Sequence, residues 1–352
     1  MLDFRQQDAQ AVLAGEAYGS LFDAAGLSPF QHPLWLIPFY ATLAPHRGAQ
    51  PVWISIFDGD ALVGAVPLII RKKSGLNLLE STDLGVSDYA APVLSELCLA
   101  KLQADESSAK RFLAALPSHD VLRVRPVRED HAMLWHCLLG FEPQPLGFGA
   151  HAVALEPPFE DWRAANLDRS FASQARRKGK RWRKQHDVSL DRLENRDAIK
   201  NAIVRLADLR SGRFEGDPIQ EEPVVRFYAQ VAAAGAAEHL TETWEVSSDG
   251  ASVGILFGLT HRGRFHYLLI GVDYDGYGRH SPGLQMYEGI IEDWMGRGGT
   301  SFDFTIGDEP FKKSYGCVET PMVGFLRTGS LKGRLATLVM GKRLMGTTGE
   351  VA

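Results

Sequence analysis

An α/β (α+β) protein built from two similar halves is what this sequence predicts, and three observations carry that reading. Its 352 residues are long for a single core. Strand-type and helix-type patterns alternate along the whole chain. A short set of features also recurs in the same order. Trp53, four residues, Asp58-Gly59 and Val63-Gly64 are echoed by Trp244, four residues, Asp249-Gly250 and Val253-Gly254. Ser87-Asp88-Tyr89 is echoed by Val272-Asp273-Tyr274. The shared order favours duplication over two unrelated hairpins that each needed an Asp-Gly turn.

In the first half, Leu34, Trp35, Phe39 and Tyr40 mark an aromatic helical stretch after Ser28-Pro29. Strands over 51–57 and 61–70 flank Asp58-Gly59, a hairpin pair. A helix over 108–116, a strand over 121–125, a helix over 130–139 and a strand over 151–155 follow, and Pro157-Pro158 punctuates the chain. The second half begins with a strand over 188–193. Ile199, Ile203, Leu206 and Leu209 are spaced as one helix face, and Pro223 opens a second helix that Gly235 follows. Strands over 240–247, 252–260 and 264–272 come next. Leu284, Tyr287, Ile291 and Trp294 make an amphipathic helix closed by Gly298-Gly299, followed by strands over 301–305 and 322–327. The expected domains are 1–157 and 158–330, with a basic and apolar tail over 331–352.

The formal net charge of -5 gives no overall pull toward nucleic acid or an anionic membrane. Cys98, Cys137 and Cys317 are too scattered for a disulfide framework or a CxxC metal pair, so no metal is expected. No apolar run approaches the ~20 residues of a membrane span, and the first residues carry no signal-peptide pattern. A reduced, cytoplasmic protein is expected.

The loop Gly276-Tyr-Gly278-Arg279-His280-Ser281-Pro282-Gly283 stands between a strand and an amphipathic helix. Such a loop offers backbone N–H groups at the positive end of a helix dipole, which suits a phosphate. Gly278 and Gly283 permit close approach, and Arg279 adds a charge. The spacing is neither a Walker loop nor a dinucleotide fingerprint. On its own, such a loop is more often a plain strand–helix connection.

The element order over 188–327 resembles a GNAT (N-acetyltransferase) domain, and the chain as a whole resembles tandem GNAT folds with mixed central sheets flanked by helices. The resemblance implies that the loop before the helix binds the pyrophosphate of acyl-CoA, the expected co-substrate. Leu269, Gly271, Val272, Gly278, Arg279, His280, Ser281 and Gly283 fall at those positions, although Ser281-Pro282 departs from the usual Gln/Arg-x-x-Gly-x-Gly/Ala pattern. Arg279-x-Ser281-Pro282-Gly283, Phe302-Asp303-Phe304, Gly307-Asp308-Glu309 and Phe311-Lys312 are similar to the CelD-like acyltransferases of cellulose and exopolysaccharide biosynthesis. Phe311-Lys-Lys-Ser-Tyr315-Gly316 more distantly resembles the Fem-type aminoacyltransferases, which use aminoacyl-tRNA.

Acyl transfer needs a neutral amine, a polarised carbonyl and alignment of the two. Asp303, Glu309 and Lys312 cluster near the strand end, and Asp88 and Tyr89 come from the other half. Carboxylates beside lysines suit an amine base, while capping and solvated charge explain Asp308, Glu309 and the lysines equally well. The resemblance places an oxyanion site on backbone amides near Leu269, Gly271 and Val272. From Arg176 to Lys184, seven of nine residues are basic, with charges all round the expected helix. CoA phosphates, an anionic polymer or RNA, an acidic membrane surface and a solvated face are the readings. The tail suits a membrane surface or a short helix docked on the second domain.

The expected activity is transfer of an acyl group from acyl-CoA to an amine of an envelope-related acceptor, an amino sugar or a lipid-like amine, lying between the halves. A Fem-like tRNA-dependent transferase and a non-catalytic binding subunit are the alternatives. Nucleic acid is expected only in the first of these, and peripheral association with a membrane surface stays open.

Overall fold

In the computed structural model, which describes residues 1–345, the chain divides into two compact units. One takes Met1–Phe148 together with the described residues from Thr320 to Met345, and the other takes Gly149–Glu319.

The first unit carries strands in the order Leu2–Gln7, Ala49–Asp58, Ala61–Lys73, Leu76–Ser81, Val121–Arg128 and Val318–Thr328. All neighbours are antiparallel except Leu76–Ser81 and Val121–Arg128, which run parallel for three rungs, Leu78↔Val121, Leu79↔Leu122 and Glu80↔Arg123. Gly59 takes a left-handed φ of 62° in the Asp58-Gly59 turn, the conformation that makes this pair a hairpin signal. Val52, Ile54, Val66, Leu79, Leu122 and Trp135 build the core. The strand Val318–Thr328, which sequence order assigns to the end of the second half, pairs here with Val121–Arg128, from Met322↔Arg128 to Thr328↔Val121. Its Val323 and Phe325 join the same core as Val124 and Val127. The helix Leu331–Met345 also lies in this unit: Gly333 closes on the Asp120 carbonyl, and a Cβ there would stand 2.0 Å from that oxygen. The expected docking on the second domain is therefore not what is found.

In the second unit the strand order is the later part of Gln144–Ala154, then Ser301–Ile306, Arg264–Val272, Ala251–His261, Thr241–Ser248 and Val188–Arg192. Successive residues on one strand point to opposite faces. Leu256 packs in a cluster with Met286, Ile290 and Trp182, whereas the neighbouring Phe257 meets the Tyr228 ring at 5.8 Å. One face thus carries the helix Pro282–Gly296 and the basic helix Arg169–Gln185, and the other carries Arg196–Arg210 and Glu222–Gly235. Gly271 belongs to the second face, where a Cβ would lie 2.7 Å from the Leu206 carbonyl and 2.9 Å from the Leu209 Cβ. The close approach of helix to strand requires a glycine there.

The basic helix is more ordered in its faces than its charge suggests. Ala175, Gly179 and Trp182 form a buried stripe at i, i+4 and i+7. Trp182 Nε1 donates to Ser248 Oγ at 3.1 Å, and Gly179 makes room for Gln285, which donates to the Ala175 carbonyl. The reading of charge all round is thus corrected. Arg176, Arg177, Lys180, Arg181, Arg183 and Lys184 are exposed, and one narrow face is packed.

Candidate active site

The strands Arg264–Val272 and Ser301–Ile306 run parallel for only three rungs, Arg264↔Ser301, Phe265↔Phe302 and His266↔Asp303. Two irregularities then drive them apart. Toward Ala251–His261, Phe257 faces Leu269 while Gly258 faces Tyr267, so Leu268 is an extra residue, a β-bulge. On the other strand Thr305 takes a left-handed φ of 56°, and Gly307 follows at 108°. A β-branched residue in that region costs about 1–3 kcal/mol.

Named groups hold the strained exit. Asp303 is fully buried. Its Oδ1 accepts from the Thr305 N–H at 2.8 Å, and its Oδ2 lies 3.5 Å from both His266 Nδ1 and Arg264 Nη1. Thr305 Oγ1 donates to the Tyr267 carbonyl at 3.0 Å. Lys312, 1 % exposed, donates from Nζ to the carbonyls of Ile306 at 2.8 Å, Gly307 at 2.9 Å and Thr305 at 3.4 Å. The same ammonium meets the exposed Glu309 carboxylate at 2.8 Å. Lys312 is thus a clamp on the strand exit, with Glu309 as its counter-charge, and Asp303 holds the turn and faces His266. Nearby, His151 Nε2 and Asp308 Oδ1 are 3.0 Å apart, a contact that holds the Asp308 carboxyl below the usual range.

Beyond the rungs, the splay is aromatic. Tyr267, Tyr287, Phe304, Phe311 and Tyr315 form one set of ring contacts, with Tyr287 and Phe311 stacked at 5.3 Å. Burial pushes the hydroxyls of Tyr267, Tyr287 and Tyr315 up, so they stay protonated. Burial also pushes the Cys317 thiol up to about 12, which removes it as a thiolate nucleophile.

The loop that follows is a chain of short turns. Asp273 caps Tyr274–Tyr277, Gly278–His280 is a 3₁₀ turn, and Ser281 sits at a left-handed φ of 54° immediately before Pro282. Lys178 of the basic helix donates to Ser281 Oγ at 2.9 Å. His280 is buried, stacked on Trp182 at 5.7 Å, and accepts from Arg279 Nε at 3.0 Å. Burial first, then Arg279, His186 and Arg181, depress its pKa, so it is neutral. Arg279 itself is exposed. Sequence reasoning expected free first-turn amides. Leu284 and Gln285 instead donate to the Ser281 carbonyl at 3.1 and 3.3 Å, while Pro282 has no N–H. The groups left to face the loop opening are the Gly283 amide and the Arg279 and Lys178 side chains. Neither the spacing of the loop nor its composition pointed to Lys178, which arrives from a hundred residues upstream.

Leu269 and Val272 lie on the strand between the bulge and this loop, and Gly278 within it. Asp88 and Tyr89 belong to the first unit. Tyr89 is buried there: its ring packs edge-on to Phe30 at 5.8 Å under Arg128, and its carbonyl accepts from Gln31.

Residues 169–313 match the family described as Acetyltransferase (GNAT) domain. Three solved structures extend the likeness in fold to nearly the whole chain. FemX has a TM-score of 0.62 at 12% identity, over 95% of this chain and 99% of that one. The C-terminal domain of a putative lysylphosphatidylglycerol synthetase from Agrobacterium fabrum has a TM-score of 0.57 at 12% identity, over 96% and 98%. A tandem GNAT protein from the clavulanic acid biosynthesis pathway has a TM-score of 0.52 at 10% identity, over 94% and 99%. No match is found among curated protein sequences. Residues 169–313 thus carry the match to a GNAT acetyltransferase domain, and the chain as a whole shares the fold of tandem GNAT proteins. Among the described residues no helix is long and apolar enough to cross a membrane.

Proposed function

We propose that this chain is an acyl-CoA-dependent N-acyltransferase of the CelD-like kind, with the donor in the splay of the second unit. The observation that carries the reading is the three-rung parallel pairing that ends at His266↔Asp303, opened by the Leu268 bulge and followed by a loop bearing Arg279 and Lys178. Arg279 and Lys178 supply the charge for a pyrophosphate. Backbone amides near Leu269, Gly271 and Val272 polarise the thioester carbonyl. The amine nitrogen attacks that carbonyl carbon, the C–S bond breaks as the C–N bond forms, and the amine proton passes through a base to the leaving thiolate, so CoA departs as the thiol. Asp303 and Lys312 act by holding the strand exit that sets this geometry.

The acceptor under this reading is an envelope-related amine, an amino sugar or a lipid-like amine. The likeness to a domain named for lysylphosphatidylglycerol supports the lipid-like arm. So do the exposed Leu331, Leu335, Leu338 and Val339 on a helix without acidic residues in its first turn, a face suited to a membrane surface.

One observation favours a second reading. The six exposed basic residues between Arg176 and Lys184 stand on the helix that touches the donor loop, a placement that suits a charged tRNA in a Fem-like transferase. Calorimetric titration with acetyl-CoA and a long-chain acyl-CoA, in parallel with Arg279→Ala, separates the two. Thioester binding weakened about tenfold in the variant supports the acyl-CoA reading. No heat with either thioester, alongside tRNA binding, replaces it with the second, and neither ligand binding leaves a non-catalytic subunit.

A further inference from the structure

The first unit has its own splay, and it has a different chemistry. Its parallel pairing also lasts three rungs, ending at Glu80↔Arg123. Beyond that rung lies a cavity of about 200 Å³ whose lining includes Arg47, Arg71, Arg123 and Arg125, with Glu80 and Asp83. Of these guanidiniums, Arg123 and Arg125 come from one strand of the splay, and Arg71 comes from the strand paired beside the other. Glu80 is 4 % exposed on its side chain, and both its oxygens are taken: Oε2 by Arg71 at 2.6 Å and Oε1 by Arg123. Arg125 makes no ion pair among the described residues. Its Nη1 donates to the Met345 carbonyl at 2.9 Å, and Arg123 Nη1 donates to the Leu344 carbonyl at 2.7 Å. The Nε atoms of Arg123 and Arg125 are buried and have no acceptor. Desolvation lowers the Arg125 pKa, and burial raises that of Asp83 against the pull of Arg125. A buried cation with unfilled donors is unfavourable until an anion supplies the missing acceptors.

We propose that the splay of the first unit binds a phosphate-bearing molecule, with Arg125 as its central contact and Arg47 at the cavity wall. Arg125 without an ion pair, beside Arg71 and Arg123 that share one carboxylate, suits a phosphomonoester, which carries about −1.5 to −2 near neutral pH. Guanidinium forks suit phosphate oxygens better than a single carboxylate does in so cationic a wall. The volume is below the ~300–1,000 Å³ of sites that enclose a whole drug-sized ligand. It therefore holds a phosphoryl group and leaves the remainder of the molecule outside. Ser81 Oγ, hydrogen-bonded to the Arg125 backbone, fixes the strand that carries the arginine. The site is independent of whether the second unit binds acyl-CoA.

The test is calorimetry on the full chain at constant ionic strength. The probes are inorganic phosphate, glucosamine 6-phosphate and phosphatidylcholine vesicles with or without phosphatidic acid. Arg125→Gln, Arg47→Gln and Arg279→Ala are run beside the wild type, and thermal melts report whether each variant is folded. The expected result is saturable binding that weakens at least tenfold in Arg47→Gln and in folded Arg125→Gln and persists in Arg279→Ala. Response to glucosamine 6-phosphate without the vesicles identifies a soluble phosphomonoester, and response to phosphatidic acid vesicles identifies a lipid head group. Binding lost in Arg279→Ala but retained in Arg125→Gln and Arg47→Gln would move the anion to the donor loop and overturn the proposal. No saturable binding of any probe would overturn it as well.

Discussion

The two splays share a backbone plan and differ in everything the side chains add. Each is a parallel pairing of three rungs that then opens. In the second unit the last rung is His266↔Asp303, and the opening is lined by Tyr267, Phe304 and Tyr287. In the first unit the last rung is Glu80↔Arg123, and the opening is lined by arginines. The second unit opens through a bulge and a left-handed Thr305, the latter held by Asp303 and Lys312. An architecture that frees backbone groups between strands can serve a thioester carbonyl or frame an anion, and the residues around it decide which.

Four variants or conditions sharpen that contrast. Lys312→Met should have the largest effect, because it strips three carbonyls of a buried ammonium. Each buried carbonyl left without a donor costs about 1–3 kcal/mol, so urea unfolding should show a loss of at least about 3 kcal/mol. Asp303→Asn keeps an acceptor for the Thr305 N–H but removes the charge facing His266 and Arg264. Turnover on an established substrate should fall about tenfold or more, within the range of acid–base and positioning effects, with the donor dissociation constant nearly unchanged. Equal loss in both would make Asp303 a binding group. Gly271→Ala should cost about 1–3 kcal/mol by overpacking against Leu206 and Leu209, without touching phosphate binding in the first unit.

The smallest effect is in pH. His280 has a depressed pKa in the folded state, so between that value and about 6.5 the unfolded chain binds a proton that the native loop does not. Its contribution to stability is complete above about pH 6.5 and is lost as pH falls through the folded value. A His280→Gln variant should lose this part of the pH dependence in thermal melts. Asp249, held down by His186, acts in a lower window, below its ordinary carboxyl range.

Much of the second unit was legible because its strands are apolar runs bounded by turn signals and its helices are amphipathic. The strand Arg264–Val272 and the face of Ile199, Ile203 and Leu206 follow directly from that pattern. The first unit was less readable. Leu2–Gln7 is an edge strand with a single fully buried residue, so it shows no apolar alternation. Leu76–Ser81 places Glu80 in a buried position that only its pairing with Arg71 and Arg123 makes tolerable. The arginine cavity draws on positions from 47 to 125, and no local motif joins them. In the loop before the helix Pro282–Gly296, the sequence singled out Arg279, Ser281 and Gly283 but not Lys178, and it missed that the Ser281 carbonyl takes up two of the first-turn amides. Long-range placement set those features, and local pattern carries no record of it.

Hydrogen exchange with acetyl-CoA tests the central claim most directly. The account predicts slower exchange over 268–285 on binding. No slowing over 268–285 at saturating thioester would contradict it.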